Sequence, residues 1–262
     1  MRDAQFLHQK LITGLKKFFT EAGFSKAVLG LSGGIDSALV AALLTEVLGK
    51  GNVLGVLMPS QFSTDHSVND AKQLAENLGM PYEIIPIKSM YDSFMTALNP
   101  VFKDAPFDIT EENLQARIRG VIVMAVSNKQ RRLLVNTSNK SEIYVGYGTL
   151  YGDMCGSIAA IGDLYKQEVY AVSRYINHEK EIIPNNIITK APSAELHPGQ
   201  KDSDSLPDYA VLDVILEKMI DNKMSVENIV AEGFDANTVQ RINQLVHRSA
   251  FKRLQAPPIL YI

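Results

Sequence analysis

Hydrophobic and polar positions alternate along this chain with two different periodicities, one typical of strands and one typical of helices. Short apolar runs bounded by glycine, proline or polar residues are typical of buried strands. Longer stretches carry apolar residues three and four positions apart, which predicts helices with one buried face. Four strands are predicted, at 27–31, 53–58, 82–87 and 133–136. Helices are predicted at 4–22, 36–48, 67–78, 89–98, 111–128 and 164–178, and near 208–221, 225–231 and 236–249.

Polar residues and prolines predict where several of these elements begin or end. Ser67 with Asp70 resembles a capping box at the start of one helix, and Thr110 is the expected N-cap of the helix 111–128. Pro86 cannot donate a hydrogen bond to a neighbouring strand, so the third strand should lie at a sheet edge or end there. A loop containing two prolines is expected before the helix 111–128.

Strands that alternate with helices predict an α/β fold. We expect a Rossmann-like, doubly wound parallel sheet with helices on both faces, followed by a helical C-terminal part. Residues 1–262 are expected to form a single domain, with the helical segment at about 208–250. Ligands of such folds bind at the carboxyl ends of the strands, near the point where the strand order reverses. Polar and glycine-rich segments follow three of the predicted strands there, at 32–37, 59–66 and 137–142.

The most informative stretch is 26–48, which joins the first predicted strand to the helix after it. A turn of small residues, Ser32-Gly33-Gly34, separates the two elements, and the helix stops before Gly49. Such a turn exposes successive backbone N–H groups, and the helix dipole adds partial positive charge. The stretch therefore predicts a phosphate or pyrophosphate site.

Two common phosphate motifs do not fit this loop. It lacks the lysine of a Walker loop, and its glycines do not have the dinucleotide spacing G-x-G-x-x-G. The string S-G-G-x-D-S resembles the pyrophosphate loop of the N-type ATP pyrophosphatases. That resemblance implies cleavage of ATP between its α- and β-phosphates, with Asp36 helping to hold Mg²⁺ beside the phosphates.

Four further stretches resemble NAD⁺ synthetase. They are N-x-x-A-R-x-R at 113–119, NTSNKSE at 136–142, GYGTLYGDMCGS at 146–157, and the long run 191–216 that begins APSAEL. The last stretch is most similar to the synthetase domain of the glutamine-dependent branch. The resemblance implies ATP-dependent amidation of deamido-NAD⁺ to NAD⁺ through an adenylate, with release of AMP and pyrophosphate. Another N-type pyrophosphatase of the GMP synthetase kind, and a nucleotide-binding module without turnover, are the alternatives.

The resemblance also implies roles for individual residues. Asp36 and Glu142 are the expected Mg²⁺ ligands, and Asp36, Lys166 and Lys201 are the expected catalytic residues. Glu142 is also assigned to the deamido-NAD⁺ site, together with Asn113, Arg117 and Lys252. The expected ATP-binding residues are Gly30, Leu31, Ser32, Gly33, Gly34, Ile35, Asp36, Ser37, Met58, Thr137, Lys166 and Ser193.

Departures from the family pattern affect the pyridine pocket and the nitrogen source. Leu150 and Ser157 stand where the ammonia-only branch has a lysine and an aspartate, so those two roles do not transfer. The chain has no room for the glutaminase domain of the glutamine-dependent branch, so free ammonia is the expected nitrogen source. Whether a separate glutaminase supplies it stays open. The resemblance implies a homodimer.

Composition narrows the class of protein. The net charge of −3 does not favour nucleic acid as a partner, and the 46% hydrophobic content is enough for a substantial core. The lone Cys155 excludes an internal disulfide framework or a C-x-x-C pair. Neither a membrane span nor a signal peptide is predicted, and the expected location is the cytoplasm.

The polar loop 195–207 is expected to act as a lid. It carries little besides polar residues, glycine and proline, so it cannot bury enough surface to order itself. A reactive adenylate needs shielding from water, and mobile loops commonly supply it. Lys201 could meet phosphate, and Asp202 or Asp204 could orient ammonia. The alternative is a plain exposed connector.

Overall fold

Parallel strands form the central sheet of the computed structural model, which describes residues 2–103 and 105–262. The five-stranded sheet has the order β3-β2-β1-β4-β5. Since β1 pairs with both β2 and β4, the strand order reverses between β1 and β4. The strands are β1 (Ala27–Gly30), β2 (Val53–Leu57), β3 (Tyr82–Ile84), β4 (Leu133–Asn136) and β5 (Ile158–Ala159).

Helices precede and connect these strands and make up the C-terminal part. In chain order they are α1 (Ala4–Ala22), α2 (Ile35–Leu48), α3 (Asp65–Leu78), α4 (Lys88–Phe102), α5 (Ile109–Gln130), α6 (Lys140–Val145), α7 (Lys166–Ile176), α8 (Asn185–Thr189), α9 (Tyr209–Leu216), α10 (Val226–Ala231), α11 (Ala236–Arg248) and α12 (Ala250–Arg253). Short 3-10 turns occupy Lys50–Asn52 and Asp202–Asp204, and α9 continues into a π-helix at Glu217–Asp221. Among the described residues, no helix combines the length and the apolarity needed to cross a bilayer.

Both faces of the sheet are covered, as predicted. On one face, Leu29 of β1 shares a hydrophobic cluster with Leu11 of α1 and Leu43 of α2. On the other face, Val28 of β1 packs in a cluster with Val123 of α5. Successive strand residues point to opposite faces, so one short strand contributes to both layers. The predicted doubly wound α/β fold is confirmed.

The C-terminal helices build a separate hydrophobic cluster beside the sheet. Leu212 and Ile215 of α9 pack there with Ile229 of α10 and Ile242 of α11. Val145 of α6 belongs to the same cluster, so α6, which follows β4, joins the sheet region to the C-terminal helices. The helical C-terminal part is present, and the assignment of the whole chain to one domain stays a prediction.

Two predicted helix starts are wrong by a few residues. Thr64, not Ser67, caps α3, because its side chain accepts the Ser67 N–H three residues later. Asp108, not Thr110, caps α5, and it forms a capping box with Glu111. In each case the cap is the residue whose side-chain oxygen reaches a free N–H of the first turn. The loop before α5 is also shorter than predicted, since α4 runs through Pro100; Asp104 lies outside the described residues.

The sequence predicted neither the fifth strand nor the C-terminal segment that pairs with its open edge. β5 has two residues inside a glycine-rich stretch, so it shows no readable periodicity. A segment near the end of the sequence, residues 258–260, lies along it. The Ala159 N–H donates to the carbonyl of Pro258 at 2.8 Å, and the Leu260 N–H donates to the carbonyl of Ala159 at 3.2 Å. At the opposite edge, β3 ends before Pro86, as that proline predicts.

Candidate functional site

A cavity of roughly 340 Å³ opens at the carboxyl ends of β1, β2 and β4. Its walls come from the loops that follow these three strands, from α5, and from the segment 190–196. The cavity therefore lies at the reversal of strand order, where the predicted fold places ligands. A site of this size accommodates a small molecule.

The loop after β1 is organised by two hydroxyl groups. Ser37 Oγ lies 3.1 Å from Ser32 Oγ, accepts the Ser32 N–H at 3.3 Å and donates to the Gly34 carbonyl at 3.0 Å. The Gly34 N–H donates to Ser32 Oγ at 3.1 Å. Gly34 then caps α2, whose first turn carries Asp36. The loop is thus held open toward the cavity by its own side chains.

Gly33 is the position in this loop where a side chain cannot fit. Its φ is +81°, and an added Cβ would lie 2.2 Å from the carbonyl oxygen of Ser67 in α3. The absence of a side chain therefore allows α3 to approach the loop from behind. Gly33 does not line the cavity; its role is to let the loop and the helix pack.

Gly33→Ala should therefore lower the free energy of unfolding by about 2–4 kcal/mol, from backbone strain plus overpacking. Gly23→Ala is the matched control, because Gly23 also has positive φ (+69°) but nothing within 4 Å of an added Cβ. It should lose only about 1–2 kcal/mol. Urea denaturation of both variants measures the difference, and equal losses would contradict the close approach of α3.

The floor of the cavity is a buried charge cluster. Lys166, at the start of α7, places its Nζ 2.6 Å from Asp36 Oδ2 and 3.1 Å from Glu142 Oε1. Asn139 donates from Nδ2 to Asp36 Oδ1 at 2.8 Å, and it caps α6 in a capping box with Glu142. Lys166 is 2% exposed. Side chains from three helices are thus fixed around one ammonium group.

The charges in this cluster depend on one another. Burial raises the pKa of Glu142, the Lys166 ammonium opposes that rise, and Asp36 adds to it. Burial alone would lower the pKa of Lys166, but Asp36 and Glu142 outweigh it and raise the value. Lys166 is therefore a cation at neutral pH. Its positive charge favours the ionised forms of Asp36 and Glu142, which lie close together in a partly buried site.

A third carboxylate, Asp202, lies beside the cluster. Its two oxygens accept hydrogen bonds from the hydroxyls of Tyr147 and Tyr209, each at 3.0 Å. Burial raises the pKa of Asp202, and Lys166 opposes that rise. The ring of Tyr209 also faces the Lys166 ammonium, with Nζ 5.1 Å from the ring centroid. Asp202 lines the cavity, so it combines a fixed position with access to a ligand.

Asp36 and Glu142 offer a partial magnesium site. Within 2–103 and 105–262, no cluster of three His, Cys, Asp or Glu side chains could hold a metal ion alone. Mg²⁺ characteristically binds one or two carboxylates and completes its shell with water and substrate phosphates. Two carboxylates facing a cavity beside a phosphate-type loop fit that donor set.

The structure brings most of the predicted ATP-binding residues together. All of them except Gly33 line the cavity, and Glu142 lines it as well. Met58 lies opposite Gly30, with its Cε 3.4 Å from the position of a Cβ there. Lys201 does not line the cavity and is exposed, although its neighbour Asp202 is buried. The residues shared by the prediction and the cavity are Gly30, Leu31, Ser32, Gly34, Ile35, Asp36, Ser37, Met58, Thr137, Lys166 and Ser193.

The other predicted dinucleotide residues form a second group outside this cavity. Asn113 accepts a hydrogen bond from the Thr149 hydroxyl at 2.7 Å, and Arg117 Nε donates to the carbonyl of Leu150 at 3.2 Å. Lys252 Nζ donates to the carbonyls of Gly146 and Gly148 at 2.8 and 2.6 Å. All three residues therefore contact one segment, 146–150, which leads from α6 toward β5.

Several cavity residues were not predicted. Arg119 lines the cavity and donates from Nε to the Met58 carbonyl at 3.0 Å; burial lowers its pKa to about 10. It falls within the N-x-x-A-R-x-R motif, which is the signal that could have found it. Tyr147 and Glu195 also line the cavity, and they fall within the family-like stretches 146–157 and 191–216. Lys190 lines it as well, but it lies outside those stretches and carries no local sequence signal.

The predicted lid lies against the site in this structure. Glu195 accepts hydrogen bonds from the hydroxyls of Ser67 and Thr64, at 2.7 and 3.0 Å. On the other side, Gln115 of α5 donates to the carbonyl of Leu196 at 2.9 Å. The segment is thus tied to α3 and to α5 across the mouth of the cavity. Its movement on ligand binding stays a prediction.

Comparison with known proteins decides the family. The profile described as NAD synthase matches residues 7–256. The chain belongs to the NAD synthase family. The glutamine-dependent NAD(+) synthetase of Synechocystis is 53% identical over 262 residues, which are 100% of this chain and 47% of that protein. The predicted family resemblance is confirmed, and the chain spans about half the length of the curated relatives it matches.

Solved structures of NAD synthetases share the fold. The glutamine-dependent NAD⁺ synthetase of Acinetobacter baumannii, in complex with ADP, is 40% identical with a TM-score of 0.71; the match covers 98% of this chain and 46% of that one. The NH₃-dependent NAD synthetase of Campylobacter jejuni is 31% identical with a TM-score of 0.79, and the match covers 99% and 100% of the two chains. The NAD synthase fold thus occurs both as a whole chain and as about half of a longer chain.

Proposed function

We propose that this chain catalyses the ATP-dependent amidation of deamido-NAD⁺ to NAD⁺, with ammonia as the nitrogen that reaches the site. The nicotinate carboxylate attacks the α-phosphate of ATP, forming an adenylate and releasing pyrophosphate. Ammonia then attacks the activated carbonyl carbon, a proton is lost, and AMP leaves. The ADP-bound relative and the ammonia-dependent relative support the two co-substrates.

The observation that carries this proposal is the position of Lys166. Its ammonium lies at the floor of the cavity between Asp36 and Glu142, at the foot of the Ser32–Ser37 loop. Charge develops on the leaving pyrophosphate in the first step. A preorganised cation and the N–H groups of a helix start stabilise that charge.

The remaining ATP contacts follow from the shape of the cavity. We place the phosphates at Ser32, Gly34 and Ser37 and the adenine near Met58, where apolar wall replaces the polar floor. Thr137 and Ser193 also line the cavity and supply hydroxyl groups for ATP in this proposal. We assign deamido-NAD⁺ to the second group of residues, Asn113, Arg117 and Lys252.

Magnesium completes the donor set in this proposal. Asp36 and Glu142 would hold the ion, and its chemistry there is to neutralise phosphate charge and orient the leaving group. Asp36 is itself held by Asn139 at 2.8 Å, so its carboxylate is positioned before ligand arrives. Glu142 is held by the α6 capping box in the same way.

Asp202 is our candidate for orienting the incoming ammonia. Its carboxylate is fixed by two tyrosine hydroxyls and lines the cavity near Lys166. A carboxylate accepts N–H bonds from ammonia or ammonium and, when unprotonated, can receive the proton lost after attack. Asp204, the other aspartate considered for this role, accepts the Lys201 N–H at 2.8 Å and lies outside the cavity.

Identifying the products tests the reaction class. With ATP, Mg²⁺, ammonium and deamido-NAD⁺, the chain should form AMP, pyrophosphate and NAD⁺ in equal amounts. The loop lacks a Walker lysine and matches the pyrophosphatase type, so cleavage should fall between the α- and β-phosphates. Stoichiometric ADP would sink the proposal. ATP binding without turnover would favour the regulatory module, and turnover with a different acceptor would favour another N-type pyrophosphatase.

The nitrogen source is tested separately. Ammonium should support NAD⁺ formation by this chain, whereas glutamine freed of ammonia should not. Equal rates with the two nitrogen sources would contradict the proposal. An added glutaminase would identify a partner only if it stimulated NAD⁺ formation more than the free ammonia it releases can account for.

A further inference from the structure

Asp213, a buried carboxylate of α9, lies behind the charge cluster and outside the cavity. It is 6% exposed, and neither it nor its partner Ser141 lines the cavity. Asp213 Oδ1 accepts the Ser141 hydroxyl at 2.5 Å, and Oδ2 accepts the Gln167 N–H at 2.8 Å. Ser141 Oγ in turn accepts the Lys166 N–H at 3.0 Å. One carboxylate from the C-terminal helices therefore ties α6 to α7.

The two elements that Asp213 ties together carry the charge cluster. Ser141 immediately precedes Glu142 in α6, and Lys166 and Gln167 form the first turn of α7. The first N–H groups of a helix have no partner within the helix, and a negative charge there is favoured by the helix dipole. Ser141 and Asp213 satisfy two of these groups, which fixes the backbone from which the Lys166 side chain extends.

We propose that Asp213 and Ser141 are positioning residues that set the geometry between Lys166 and Glu142. The inference rests on the proposed function, since it concerns the same reacting site. Removing the tie leaves every ligand contact in place but frees α6 and α7 to shift relative to each other. A misplacement of about 1 Å can cost 10²-fold in rate, and loss of a supporting partner commonly costs 10- to 100-fold.

The expected signature is a fall in kcat with little change in KM for ATP. Ser141→Ala should lower kcat by about tenfold and Asp213→Ala by about 100-fold. Asp213→Asn keeps the shape and an acceptor for Gln167, so it should recover part of the loss. Because the pair acts as one relay, Ser141→Ala combined with Asp213→Ala should be no slower than Asp213→Ala alone.

Ser173→Ala is the matched control. Ser173 is fully buried in the same helix, α7, but its hydroxyl donates within that helix to the Val169 carbonyl at 2.8 Å. Its loss should lower thermal stability by an amount similar to Ser141→Ala while kcat per folded molecule stays unchanged. A fall in kcat of equal size in the control would mean that any buried defect in α7 has this effect, and would overturn the inference.

Hydrogen exchange separates this inference from the function itself. In the full chain without substrates, exchange at the Lys166 and Gln167 amides should speed up about tenfold or more in Asp213→Ala and stay unchanged in Ser173→Ala. A wild-type chain that forms no AMP refutes the proposed function, while exchange still decides whether Asp213 holds α7. Unchanged exchange, or unchanged kcat in an active protein, overturns the positioning role.

Discussion

Lys166→Met should lower the rate of AMP formation by about 10³-fold. The variant keeps the volume of the side chain but removes the cation from between Asp36 and Glu142. Loss of one preorganised stabiliser costs about 10²–10³-fold in turnover. The two carboxylates would then repel each other and the incoming triphosphate, which places the loss at the upper end. Single-turnover quench experiments that follow labelled ATP measure it.

The same variant should lower the free energy of unfolding by about 3 kcal/mol, because it leaves two partly buried carboxylates without their counter-ion. Lys140→Met is the matched control. Lys140 is also a buried lysine between two carboxylates, Asp221 at 2.7 Å and Asp163 at 3.5 Å, but it does not line the cavity. Lys140→Met should also be destabilised, though by less, because Asp221 is 40% exposed and Asp163 keeps its ion pair with Arg2. Its loss in turnover should stay below about tenfold. Comparable losses in turnover in the two variants would contradict a direct role of Lys166 in the reaction.

Asp36→Asn should reduce turnover by at least about 10²-fold at saturating Mg²⁺. The amide is isosteric, so the effect comes from the lost negative charge beside the phosphate loop. The apparent Mg²⁺ requirement should rise, because one of the two proposed carboxylate ligands has gone. Steady-state rates measured across a Mg²⁺ titration give both quantities.

Asp65→Asn is the control for Asp36→Asn. Asp65 also lies in the first turn of a helix, α3, but it is exposed and does not line the cavity. A helix-dipole effect alone would lower the turnover of both variants, whereas loss of a metal ligand would lower the turnover of Asp36→Asn only. Near-wild-type turnover of Asp36→Asn would refute the assignment of this carboxylate.

The sequence was most informative where the residues that form a site or an element are neighbours in the chain. The Ser32–Ser37 loop could be predicted from the sequence because its strand, turn and helix start are adjacent in the chain. The direction of the helix dipole follows from their order. The four predicted strands were found because buried parallel strands are short continuous apolar runs. β5 could not be found, because two residues among glycines carry no period.

Parts of the site that depend on tertiary packing could not be predicted in the same way. Asp202 looked equivalent to its exposed neighbours Lys201 and Asp204 in a polar loop. Its carboxylate is held by Tyr209, seven residues later, and by Tyr147, 55 residues earlier in the chain. Ser67 resembled a helix cap, but its hydroxyl donates to Glu195, 128 residues away. Such long-range hydrogen bonds cannot be predicted from the spacing of residues along the chain.

The cover over β5 has a consequence for how the chain is made. Ala159 exchanges hydrogen bonds with Pro258 and Leu260, so this edge of the sheet is completed by a segment synthesised roughly 100 residues later. At about 5–20 residues per second, a ribosome needs on the order of 5–20 s to deliver it. During that interval β5 presents unpaired backbone groups, and an open edge is a template for pairing with other chains. A strand of only two residues keeps that open edge short, which limits the template that the emerging protein offers to other chains.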